Sequence, residues 1–177
     1  MYVAKYVPFG YRTPSPEEMI TRRIARDLKI PTAAAIEIAA PVMAALIDGP
    51  CWLVPVPASN GSLSANLALA SAIAELVDGA RIKSAIGRIH PVESSALRRM
   101  HGLSGLTLEK HAIIRICGPI QLSPLYFVDN VITTGTTIAA CRRALGFGIG
   151  LAYADASTRP HMPRFRTGPD CSLDLAR

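Results

Sequence analysis

The apolar positions of this chain follow two rhythms. Toward the N-terminus they recur at helical spacing: Met19, Ile20, Ile24 and Leu28 fall on one stripe. Ser15 or Thr13 can cap that helix, Pro16 suits its first turn, and Glu17 and Glu18 sit at its positive end. A second, alanine-rich helix is predicted over about 32–47, capped by Thr32 and stopped by Asp48-Gly49-Pro50. Beyond Pro50 the pattern changes to short apolar runs separated by glycine, proline and polar clusters. Residues 51–56 read as a buried strand in which Pro55 demands an end or edge position. A loop at 58–61 follows, then a helix from Ser62 or Ser64 to about Val77, with Leu67, Ala70, Ala74 and Val77 on one side. Residues 81–88 read as a second strand. Residues 90–110 read as a long polar loop with some helix at 92–100. Strands are predicted at 112–116 and 125–128, a helix at 138–145 ended by Gly146 or Gly148, and a last strand at 149–154. Residues 1–16, rich in proline, glycine and aromatics, read as an extended arm, and the tail has no period.

Strands alternating with helices predict an α/β fold: a mainly parallel sheet with helices on both faces, plus an N-terminal helical segment. One domain is expected over 1–177, with an arm and helices at 1–50, a core at 51–157 and a tail at 158–177. Ligands of such sheets bind beyond the carboxyl ends of the strands. The loops at 57–62 and 129–137 both leave strand C-termini, so they are expected on the same rim.

Composition narrows the picture. With 177 residues, half of them apolar, the chain can bury a sizeable core. The formal charge of +6 suits an anionic ligand and equally suits a merely basic surface. Arg22-Arg23, Arg98-Arg99 and Arg142-Arg143 are dispersed rather than clustered, and no aromatic interleaving marks a single-strand platform. A nucleic-acid partner is therefore left without a motif. Cys51, Cys117, Cys141 and Cys171 lack disulfide or zinc spacing, and buried thiols in a reducing compartment are expected. The four histidines lack metal spacing. The apolar stretch 33–47 carries Glu37 and Pro41 and is short of the roughly 20 residues of a membrane span. No secretion signal is evident, so a cytoplasmic location without a membrane partner is expected.

The chemistry concentrates in Leu125 to Thr137, LYFVDNVITTGTT. An apolar run leads to Asp129-Asn130, then to Thr133-Thr134-Gly135-Thr136-Thr137 and a helix start. Small residues let backbone N–H groups converge on an anion, and the helix adds its positive end. Asp129 and Asn130 can grip vicinal sugar hydroxyls. A bare β–α junction would use fewer of these features. Gly146-Phe147-Gly148-Ile149-Gly150 follows a helix and precedes a strand, the reverse of a dinucleotide loop, and reads as a helix stop.

This stretch resembles the phosphoribosyl-pyrophosphate (PRPP) loop of type I phosphoribosyltransferases, and VPVPASNGSLSANLALASAIA resembles the early strand, loop and helix of the ComF-like branch. The resemblance spans roughly residues 53–156. It implies a type I phosphoribosyltransferase fold and transfer of a phosphoribosyl group to or from a nitrogenous base, with Mg²⁺ and pyrophosphate. It implies that Asp129 and Asn130 meet the ribose as the catalytic pair and that Thr133, Thr134, Gly135, Thr136 and Thr137 cradle the 5′-phosphate. It implies that Ala58, Ser59, Asn60, Gly61 and Ser62 form the pyrophosphate loop, and that residues 90–105 form a hood with Arg98 or Arg99 available to pyrophosphate. Magnesium would be held mostly by the ligand's oxygens, with Asp129 as a candidate protein contact and no dedicated metal site. PRPP or a nucleoside monophosphate is the expected partner, and a homodimer stays open. Two positions depart from the family pattern: Asn130 replaces the usual second acid, and the loop Ser59-Asn60-Gly61-Ser62 has no Lys or Arg. Both favour binding over turnover, so the alternative is a non-catalytic PRPP- or nucleotide-binding regulator or a DNA-handling accessory protein.

Overall fold

Two hydrophobic layers form on opposite sides of one sheet, and the alternation along its strands decides which side chain joins which layer. A computed structural model describes residues 1–6, 13–120 and 124–157. Seven strands and five helices are described: β1 (Tyr2–Lys5), α1 (Pro16–Asp27), α2 (Ala33–Ala44), β2 (Trp52–Pro55), α3 (Ser64–Ala74), β3 (Arg81–Ile82), β4 (Ile86–Arg88), α4 (Ser95–Met100), β5 (Ile113–Arg115), β6 (Leu125–Ile132), α5 (Thr136–Leu145) and β7 (Ile149–Asp155). The main sheet is five-stranded and parallel throughout, in the order β1-β7-β6-β2-β3. Leu53, Tyr126, Val128, Leu151 and Tyr153 point to the layer filled by α1, α2 and α3. Val54, Val56, Leu125 and Phe127 point to the other, filled by Cys141 and Leu145 of α5 and by Ile86 of β4. The fold is therefore α/β with helices on both faces.

Local chemistry accounts for the element ends. Ser15 opens α1 with a reciprocal cap: its Oγ accepts from the Glu18 N–H at 3.2 Å, and the Ser15 N–H donates to Glu18 Oε2 at 2.9 Å. Thr32 caps α2 through Ala35. Pro55 is the last residue of β2 and lies past the end of β3, so its missing N–H costs that ladder nothing. After α5 the chain turns through Gly146 to Gly148. At Gly148 φ is +121°, and a Cβ would lie 2.5 Å from the Phe127 ring. Only glycine fits between that ring and the turn.

Several expectations change. The extended arm is partly a strand: β1 pairs with β7, Ala4 opposite Ala154. Residues 7–12 lie outside the described residues, as does the tail from 158 onward. Within the 1–50 segment, Ala25, Leu28, Ala39 and Met43 belong to the first hydrophobic layer. Residues 81–88 form not one strand but two, since β3 ends at Ile82 and β4 pairs antiparallel with β5 in a separate ribbon. Finally, β6 does not stop at Val128. The seven-residue β7 pairs with it as far as Ile132, so Asp129 and Asn130 lie within the strand.

Candidate functional site

The chain leaves β2 toward β3 through α3 on one face, and leaves β6 toward β7 through α5 on the other. β2 and β6 are neighbours. The strand order therefore reverses between them, and a crevice opens at their carboxyl ends. A cavity of about 1190 Å³ occupies that rim. Pro57, Ala58, Ser59 and Asn60 line it from the β2 loop; Asp129, Asn130, Val131, Thr133 and Thr137 line it from β6 and its loop. The two loops expected to share a rim do so.

Asp129 sits at the floor. Its Oδ1 accepts from the Asn130 N–H at 2.8 Å and from Asn66 Nδ2 at 3.3 Å. Asn66, buried near the start of α3, also donates Nδ2 to the Val56 carbonyl at 2.8 Å, which ties that carboxylate to the end of the neighbouring strand. Burial pushes the Asp129 carboxyl up to about 6, against the opposing pull of the Asn130 N–H and the Asn66 amide. Asn130 turns the other way, as strand alternation requires. Its Nδ2 donates to the Ala25 carbonyl at 3.2 Å and fastens α1 to the site strand. The two residues flank the rim from opposite faces rather than side by side.

The threonine loop is built around Gly135, whose φ of +78° reverses the chain into α5. Thr133 and Thr137 line the cavity, whereas Thr134, which is exposed, Gly135 and Thr136 do not; Thr134 and Thr136 are paired instead. Their hydroxyls lie 2.7 Å apart, and Thr136 Oγ1 is 3.1 Å from His111 Nε2. On the other side, Ala58 and Ser62 close their loop through a 2.8 Å backbone bond, and Ser62 and Ser64 hydroxyls pair at 2.9 Å. Gly61 and Ser62 do not line the cavity.

Residues 90–105, the segment expected to form a hood, follow β4 of the β4–β5 ribbon. The Val92 N–H donates to the Ser59 carbonyl at 2.8 Å, so this segment and the β2 loop are joined. Arg98 does not reach the cavity. It is held in α4 by Glu93 at 2.9 Å and by the Ser104 carbonyl at 2.8 Å. The Arg99 side chain lies outside the described residues.

Positive charge comes instead from positions that the sequence analysis did not place at the site. Arg22, Arg23, Arg26 and Lys29 of α1 and the turn after it line the cavity, and Arg88 joins them from β4. Arg88 donates to the carbonyls of Ala58 (3.0 Å), Pro57 (3.2 Å) and His111, so it clamps the β2 loop and the 109–111 turn together. Burial lowers its pKa from the usual arginine value. Glu93 and Asp129 are the acidic side chains lining the cavity among the described residues. Arg22 and Arg26 are one helical turn apart, a spacing visible in the sequence. Their approach to Asn130 depends on how α1 packs.

Among the described residues no group of three His, Cys, Asp or Glu side chains converges for a metal ion. Cys51, Cys117 and Cys141 are free thiols, and burial raises the Cys141 pKa far above the ordinary thiol value. No helix among the described residues is long and apolar enough to cross a membrane. Comparison of the chain with protein-family models, curated proteins and solved structures found no match.

Proposed function

We propose that this chain is a type I phosphoribosyltransferase-like protein of the ComF-like branch. It binds PRPP or a nucleoside monophosphate at the β2–β6 crevice and moves the phosphoribosyl group between pyrophosphate and a nitrogenous base. The observation that carries this reading is the meeting, in one cavity, of a desolvated carboxylate, a threonine loop at a helix start, a second strand-end loop and a basic helix face. A phosphorylated sugar bearing a second anionic group matches that set.

The roles follow from the chemistry of each group. The 133–137 loop and the start of α5 receive the 5′-phosphate. Asp129 accepts from ribose hydroxyls. It is ionised for the most part at neutral pH, yet poorly solvated, so it gains when positive charge develops at the sugar. The base nitrogen bonds to the anomeric carbon as the C–O bond to pyrophosphate breaks and pyrophosphate leaves with the electron pair. The α1 arginines and Lys29 supply the cations that the β2 loop lacks. Asp129 would be a protein contact for a Mg²⁺ ion held mostly by the ligand's own oxygens and water, and the ion would neutralise the pyrophosphate. The free thiols accord with a cytoplasmic setting.

Binding without turnover is the second reading. It is favoured by Arg98 being engaged with Glu93 and by Asn130 being engaged with Ala25. Calorimetry with Mg–PRPP tests the shared premise: the double variant Asp129→Ala/Thr134→Ala should lose at least about a hundredfold in affinity. Unchanged affinity would remove the site assignment. Pyrophosphate release on adding PRPP, Mg²⁺ and a panel of nucleobases separates the two readings. Release marks the transferase, and binding without release marks the regulator.

A further inference from the structure

We propose that His111 fixes the direction of the hydroxyl chain in the threonine loop and thereby makes Thr134 a dedicated donor to a phosphate oxyanion. This rests on the reading of residues 133–137 as the phosphate loop. His111 ends a short 3₁₀ turn, Glu109–His111, and is only 4% exposed. Its Nε2 meets Thr136 Oγ1 at 3.1 Å, while its buried Nδ1 has no hydrogen-bond partner among the described residues.

That asymmetry selects between two arrangements. With the proton on Nδ1, a buried N–H would be unsatisfied and Nε2 would accept from Thr136. The Thr136 oxygen would then draw the Thr134 hydrogen inward, leaving lone pairs facing the ligand. With the proton on Nε2, the imidazole donates to Thr136, and Thr136 donates to Thr134 across 2.7 Å. The Thr136 backbone N–H also points at Thr134 Oγ1, at 3.4 Å. Both Thr134 lone pairs are then engaged, and its hydrogen is the group left for a ligand. An oxyanion is accepted there and a donor is refused.

Arg88 favours the second arrangement. Its guanidinium is bound to the His111 carbonyl. Nδ1 is the ring nitrogen nearer the main chain, so the adjacent positive charge prefers a lone pair there over an N–H. A ring that stays neutral is consistent with this: burial first, then Arg88, lowers the His111 pKa from its ordinary value. His111 touches no ligand in this account. It is a positioning residue acting through Thr136.

Long-range ¹H–¹⁵N NMR of the full-length protein, without ligand, should report the Nε2–H tautomer for His111. The Nδ1–H tautomer would overturn the proposal, whatever the ligand. Calorimetry then compares wild type, His111→Leu and His111→Gln with inorganic phosphate and ribose 5-phosphate. His111→Leu should weaken both by about ten- to a hundredfold. His111→Gln, whose amide can donate from a similar reach, should recover most of the loss. Equal affinity in all three, or equal loss in both variants with folding intact by circular dichroism, would overturn the proposal while leaving the site assignment standing. If wild type binds neither compound, the phosphate-loop reading falls and takes this inference with it.

Discussion

Asp129 carries a cost that an unliganded fold would shed if stability were its only criterion. Its folded pKa of about 6 lies above the roughly 3.9 of an unfolded aspartate. Between those values the folded chain keeps a proton that the unfolded chain has lost. This contribution therefore falls as pH rises across that window and stays low above it, a loss of up to about 3 kcal/mol. Asp129→Asn should stabilise the ligand-free protein by on the order of 1–3 kcal/mol at pH 8 and by little at pH 4, as read from urea unfolding curves. The same variant should bind Mg–PRPP poorly. A carboxylate held for stability alone would show the reverse. His111 acts with the opposite sign: with its folded pKa lowered, it withdraws stability as pH falls below about 6.5. Asp129 was legible as a candidate from its place in the motif. Its perturbation was not, because burial causes it, and that burial is set by elements far from Asp129 in the chain.

Among the elements, β6 and the turn after α5 impose the tightest geometry. The continuous apolar run of Leu125 to Val128 was readable because one face meets α3 and the other meets α5. Its true length was not, since residues 129–132 are polar or mixed and are held extended by pairing with β7. Gly148 is where the turn meets the strand. Gly148→Ala would place a methyl 2.5 Å from Phe127 at a positive φ, and should destabilise by about 2–4 kcal/mol in thermal unfolding. The loss should appear as lower Tm before any loss of ligand affinity in the folded fraction. The capping box of α1 shows the contrary case. Ser15, Pro16 and Glu18 are local in sequence, their bonds are local in space, and the helix began where the residues indicated.

For the molecule as a whole, the cavity is an electrostatic basin with one wall supplied by α1. Arg26 is exposed and Lys29 is exposed, so reversing them leaves the core intact. Arg26→Glu/Lys29→Glu should weaken Mg–PRPP by about three- to tenfold at low salt, with the difference shrinking as ionic strength rises. Ribose 5-phosphate, which lacks the pyrophosphate, should be affected less. Equal weakening of the two ligands would mean that α1 serves the 5′-phosphate end instead.

The sequence by itself determined the local terms: helix caps, the strand that leads to Asp129, the glycine-marked loop into α5 and the apolar faces that call for a two-sided sheet. These depend on residues within a turn or a strand of one another, where spacing and side-chain type are enough. Only the tertiary structure decided that β1 completes the sheet, that Asn66 and Arg88 close on the site, that Arg98 is turned away and that α1 lends its charge. Apart from those of Arg98, whose partners Glu93 and Ser104 are close in sequence, these contacts join residues far apart in the chain. Their geometry is set by which strands are neighbours and which helix covers which face, and no local pattern encodes that.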